Sequence, residues 1–132
     1  MAHWEDTMTK LSGALIIIIG VMLILIGLAG MFRPERVAEV LGFALTNSEA
    51  TGQMRAIFGG HHLAMGAVCI FAVVRQRLEL LLPIGLIEAF ILAGRGVAAL
   101  NGEFGRAAIV PTIIEVFATA LLITISLRAL KR

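Results

Sequence analysis

The chain has 132 residues, one domain's worth, and 59% of them are apolar. With a mean hydropathy of +0.97, a soluble fold of this size has no way to cover its apolar surface, so the surrounding medium is lipid. The formal charge of +2 is small and no basic run with interleaved aromatics occurs, which argues against nucleic-acid binding; the single cysteine, Cys69, excludes an internal disulfide framework.

Four apolar runs, at about 11–31, 54–74, 78–100 and 107–130, are each near the ~20 residues a helix needs to cross the hydrocarbon core. The expected fold is therefore all-α: a four-helix transmembrane bundle forming one integral membrane domain over residues 1–132. Four spans put both termini on one side. That side holds Lys10, Arg75, Arg77, Arg128, Lys131 and Arg132; the other holds Arg33, Arg36 and Arg106, with Arg55 at its boundary. The positive-inside rule then predicts that both termini are cytoplasmic.

In chain order, residues 1–10 form a polar lead in which Trp4 suits the headgroup level, and His3, Glu5 and Asp6 read as a solvated terminus. The first run is too long for the apolar part of a signal peptide and reads as an uncleaved span. It carries Gly13, Gly20 and Gly27 at heptad spacing, a stripe on which another helix can approach closely. Pro34 then suits the first turn of a short amphipathic helix lying at the interface between spans one and two, with Val37, Val40, Leu41, Ala44 and Leu45 on one face and Glu35, Arg36 and Glu39 on the other. Ser48 is a candidate N-cap, so the second helix is allowed to begin before its apolar part.

The second span holds Met54-Arg55-Ala56-Ile57-Phe58-Gly59-Gly60-His61-His62. At the helical period Arg55, Gly59, His62, Gly66 and Cys69 share one stripe, while Ala56, Gly60, Ala64 and Ala67 form a neighbouring small-residue stripe suited to tight packing. Gly59, Gly60 and Gly66 are the expected helix-packing positions. His61 falls ~100° from His62 and groups with Phe58, Met65 and Val68. The Arg75-Gln76-Arg77 turn makes spans two and three a hairpin. Leu81, Gly85, Glu88, Leu92, Arg95 and Ala99 share a stripe of the third span, and Thr112, Glu115, Thr119 and Ser126 one of the fourth.

Counting depth from the non-cytoplasmic end, His62, Arg95 and Glu115 fall in the outer half of the bilayer and Glu88 near its middle. Each isolated charge at the bilayer centre costs ~2.5–3.5 kcal/mol on the lenient insertion scale, so pairing is favoured. Arg95 and Glu115 match best, because a short turn joins their helices and their depths agree. Arg55 and Glu88 complete a formally neutral set. Two readings compete: a closed ion-pair network that only sets helix register, and a polar pocket for a ligand head group. The ligand-binding candidates are Arg55, His62, Glu88, Arg95 and Glu115. Adjacent histidines cannot both point inward, no Glu-x-x-His spacing occurs, and the arginines repel a cation, so no metal site and no required cofactor are read. No catalytic residue is assigned, since Cys69 lies two turns from His62.

Met54-Arg55-Ala56-Ile57-Phe58-Gly59-Gly60 followed by Leu63 and Gly66, together with Gly94-Arg95, Glu115 and Pro34, resembles the pattern of a bacterial four-span membrane family catalogued as domain of unknown function 4345, similar in layout to small DoxX-like proteins. The resemblance implies the four-span architecture and a bacterial inner-membrane location, and it marks Arg55, Gly59, Gly60, Arg95 and Glu115. It carries no activity over, and His61, His62 and Glu88 stand outside its pattern. The expected function is binding of a lipid, quinone or other isoprenoid head group. The alternative is a structural or assembly subunit of a larger membrane complex or a homo-oligomer. A proton-coupled carrier or enzyme ranks last, because no interrupted helices appear in paired halves.

Overall fold

In a computed structural model the backbone of residues 2–131 and the side chains of residues 11–131 are described. The roles read for His3, Trp4, Glu5, Asp6 and Lys10 lie outside the described side chains. The described residues form five helices: α1 (Ala2–Phe32), α2 (Pro34–Leu41), α3 (Ser48–Val74), α4 (Leu78–Leu100) and α5 (Arg106–Leu130). All but α2 contain a stretch long and apolar enough to cross a membrane. Their outward faces carry Ile18, Leu25, Phe90, Leu100 and Ile113, each more than half exposed, which only a lipid surround accommodates.

The start of α2 follows from proline chemistry. Pro34 occupies the first turn, where its missing N–H is not needed, and Gly42 ends the helix in the left-handed conformation at φ 82°. Because the helix stops at Leu41, Ala44 and Leu45 fall outside it. The face turned to the bundle is Pro34 and Ala38, both buried, whereas Val40 is 78% exposed. The apolar stripe read from the sequence is thus not the face that packs: Val40 and Leu41 face the surroundings, Val37 is half-buried, and the contact is made by Pro34 and Ala38, which lie outside that stripe.

The start of α3 corrects the expected cap. Asn47, in extended conformation, accepts the Ala50 N–H at 2.8 Å on Oδ1, and Ser48 is the first helical residue. Within α3, Met54–Gly59 form a π-helical turn between the α-helical segments Ser48–Gln53 and Gly60–Val74. The buried positions Met54 and Gly59 are therefore five apart, one more than an α-helical face allows. From Gly59 onward the buried set returns to the α-helical period at Met65, Gly66, Cys69 and Ala72.

Two helix pairs result. The first is α1 against α3, where the glycines of α1 act as the sequence predicts. A Cβ at Gly20 would lie 3.0 Å from the Gly66 carbonyl oxygen, and one at Gly66 would lie 2.5 Å from that of Gly20. The second is α4 against α5, where a Cβ on Gly85 would meet Ile123 Cγ1 at 2.7 Å. The pairs join through a core of Ile16, Ile19, Leu23, Met65, Cys69, Leu81, Ile84, Ala118 and Leu122 in and below the middle of the bundle, toward the termini. Beyond Glu88 in α4 and before Ala118 in α5, no residue is buried. The far half of the bundle is loosely filled, and there a cavity opens.

Candidate functional site

The cavity measures about 200 Å³. Its walls are apolar: α1 contributes Ile19, Met22, Leu23 and Ile26, and α5 contributes Val110, Pro111 and Ile114. Three polar side chains reach it, His62 from α3, Glu88 from α4 and Glu115 from α5. The part of α1 is this apolar wall, visible in the sequence only as a stripe at positions 19, 22, 23 and 26.

The predicted ion pair forms. Arg95 and Glu115 meet as a bidentate pair, with Nε donating to Oε2 and Nη2 to Oε1 at 2.6 Å. One arginine and one glutamate of the expected neutral set thus satisfy each other.

Arg55 stands apart from the cavity. Its Nη1 donates to the carbonyl oxygen of Met31, at the end of α1. The cause lies in the connection. The last carbonyls of a helix have no intrahelical donor, Pro34 has no N–H to offer, and the chain turns away at Arg33 with φ −135° and ψ 54°. A guanidinium at the negative end of the helix dipole fills that need. Arg55 stays on the side of α3 that faces α1, as Gly59 does, since both meet Met31; it is exposed and does not line the cavity.

The double glycine also divides. Gly59 is buried against Met31 and Gly27, whereas a Cβ at Gly60 would have nothing within 4 Å. Ala56, Ala64 and Ala67 are exposed as well, so the small-residue stripe expected to pack tightly faces outward, and the contact runs through Gly59 and Gly66. His61 is exposed, with its ring centroid 6.0 Å from that of His62. Phe58 does not join His61: its ring lies 4.2 Å from His62, one helical turn on.

His62 is held in a defined state. Its Nδ1 lies 2.8 Å from the Phe58 carbonyl oxygen. A carbonyl can only accept, so Nδ1 carries the proton, and in the neutral ring Nε2 is left as an acceptor. No partner for Nε2 occurs among the described residues.

Glu88 is the odd charge out. With Arg55 on α1 and Arg95 on Glu115, it makes no hydrogen bond or ion pair among the described residues, although only 6% of it is exposed. Thr119 Oγ1 is the one fully enclosed side-chain oxygen or nitrogen there without a partner. The Glu88 carboxyl oxygens and His62 Nε2 are unpartnered yet not enclosed, so they open onto free space, and the space beside them is the cavity. Both residues sit near mid-helix. No set of three or more His, Cys, Asp or Glu side chains gathers among the described residues.

Four membrane-crossing helices around a polar-tipped cavity define a multi-pass integral membrane protein. Residues 12–126 match the family model described as Domain of unknown function (DUF4345), and the chain belongs to that family. No curated protein and no solved structure matches it.

Proposed function

We propose that the protein is a membrane-embedded binding protein whose cavity receives the head group of an apolar membrane molecule, a lipid, quinone or other isoprenoid. The observation that carries this reading is Glu88, a buried carboxyl without a partner at the wall of an otherwise apolar cavity. A group of that kind costs stability where it stands and is retained where something is to be met. A closed register-setting network would leave no such group over. An apolar cavity of ~150 Å³ already admits a benzene-sized ring, so the volume here suits a ring or a short polar-tipped segment, with the remaining chain lying in the bilayer.

Orientation is part of the proposal. Lys and Arg counts place both termini in the cytoplasm, and the cavity then opens in the middle and outer part of the membrane. A carboxy-terminal reporter that fluoresces only in the cytoplasm tests the orientation. Native mass spectrometry after gentle extraction tests the function. The parent protein is expected to retain a molecule of lipid-like mass, and Ile114→Trp, which fills the cavity from α5, to lose it. Equal retention in both, or none in either, refutes the reading.

A second reading, a subunit of a larger membrane complex or a homo-oligomer, rests on one observation. Ala56, Gly60, Ala64 and Ala67 form a face suited to close helix contact, and no helix of this chain covers Gly60. Co-purification of a partner at fixed stoichiometry supports it; a lone monomer in native-lipid particles counts against it.

A further inference from the structure

Two of the five ligand-binding candidates read from the sequence are arginines, which suit an anionic or carbonyl group, and in the structure both are engaged elsewhere. Arg55 is bound to the Met31 carbonyl, and Arg95 is bound through two nitrogens to Glu115. What still faces the cavity unpaired is acceptor chemistry: His62 Nε2, fixed as an acceptor by the Nδ1 contact to Phe58, and the Glu88 carboxyl oxygens. An anion placed there would meet Glu88, the Glu115 carboxylate and a ring lone pair, with no free cationic side chain lining the cavity to balance its charge. A group that only accepts, such as a ketone or ester carbonyl, leaves His62 Nε2 unmatched.

We infer that the cavity selects an uncharged hydroxyl group, of a phenol or an alcohol on an apolar skeleton, which donates to His62 Nε2 or to Glu88. This rests on the cavity being a binding site, as proposed above. With the Glu88 carboxyl protonated, a hydroxyl is the smallest group that serves both residues: it donates to His62 Nε2 and accepts from the carboxyl O–H. With the carboxyl ionised, its one hydrogen serves one of the two acceptors. An ammonium would also donate, but it must shed its water against Ile, Met, Leu and Pro walls, a far larger penalty than for a hydroxyl. The apolar walls contributed by α1 and α5 hold the ring or chain that bears the hydroxyl.

The test uses the full chain in lipid nanodiscs and five probes of matched length: an alkylphenol, a primary alcohol, the corresponding alkylbenzene, a fatty acid and a primary alkylamine. The alkylphenol, the alcohol or both are expected to bind at least tenfold more tightly than the alkylbenzene, and which of the two binds better separates a ring source from a chain source. Glu88→Leu and His62→Leu are each expected to bring the hydroxyl probe down to the alkylbenzene level. Helical circular dichroism reports whether the variants fold, and Glu88→Gln, which keeps an acceptor and a donor, is expected to retain most of the preference. Binding of the alkylbenzene as tight as that of the hydroxyl probes overturns the inference while leaving the cavity a binding site. Tighter binding of the fatty acid or the amine does the same. No binding of any probe overturns the binding site itself, and the inference with it.

Discussion

Adjacent glycines at positions 59 and 60 should respond to the same substitution in opposite directions. A Cβ at Gly59 would stand 2.8 Å from Met31 N, 3.1 Å from Met31 Cα and 3.2 Å from the Gly27 carbonyl oxygen. These are backbone atoms, unable to swing aside. To reach ordinary contact α1 and α3 must separate by several tenths of an ångström, and overpacking of this kind costs ~1–3 kcal/mol. Replacing a helical glycine by alanine returns ~0.5–1 kcal/mol, leaving a net cost for Gly59→Ala of about 0–2.5 kcal/mol, centred near ~1 kcal/mol. At Gly60 nothing lies within 4 Å, so only the favourable part applies. Gly60→Ala is then expected to be neutral or up to ~1 kcal/mol more stable. Reversible unfolding by sodium dodecyl sulfate titration in mixed micelles, followed by helical circular dichroism, measures both. Equal effects at the two positions, or a greater loss at Gly60, would refute the packing argument.

Other consequences are open to the same assay. Glu88→Leu replaces a buried carboxyl without a partner by an apolar side chain and should raise stability by ~1–3 kcal/mol while abolishing ligand retention; a loss of stability would show that Glu88 has a partner. Arg55→Ala, which uncaps the Met31 carbonyl, should cost about 1 kcal/mol and leave ligand retention intact, whereas loss of the ligand alone would return Arg55 to the site. Asn47→Ala should cost ~1 kcal/mol of stability and Ser48→Ala much less, since only Asn47 caps the Ala50 N–H. For the bidentate pair, Arg95→Met and Glu115→Leu should each destabilise alone, and the double variant should recover part of the loss. A coupling energy of ~1–3 kcal/mol is expected, and additivity of the two losses would deny that the pair acts as a unit.

Some of the site was legible because it depends on neighbours in the chain. Arg95 and Glu115 lie on helices joined by a short turn, at similar depths, and this is enough to pair them. The close approach at Gly20, Gly27 and Gly66 was legible from spacing, because α1 and the later part of α3 keep an unbroken α-helical period. Arg55 and the small-residue face of α3 depend instead on groups in another helix. The Met31 carbonyl of α1 takes the Arg55 guanidinium, and α1 packs on Gly59 and Gly66, which leaves Ala64 and Ala67, in regular α-helix, facing outward. No residue in Met54–Gly59 announces the π turn found there. His62 carried a local signal in retrospect, since Phe58 one turn earlier supplies both the carbonyl and the ring that fix it.

From its sequence alone this protein is determined as a four-span helical membrane protein. The length and apolar content of each run are local quantities, and lipid leaves the backbone few alternatives to a helix. Which charges would remain unpaired was not a local quantity. It depended on α1 ending so that the Met31 carbonyl is open to a side-chain donor, on Arg55 reaching that carbonyl, and on Arg95 finding Glu115. Only when the tertiary fold had consumed both arginines did Glu88 stand alone beside His62 at a cavity wall, because pairing inside a bilayer is settled by which groups come within reach and not by how their charges sum.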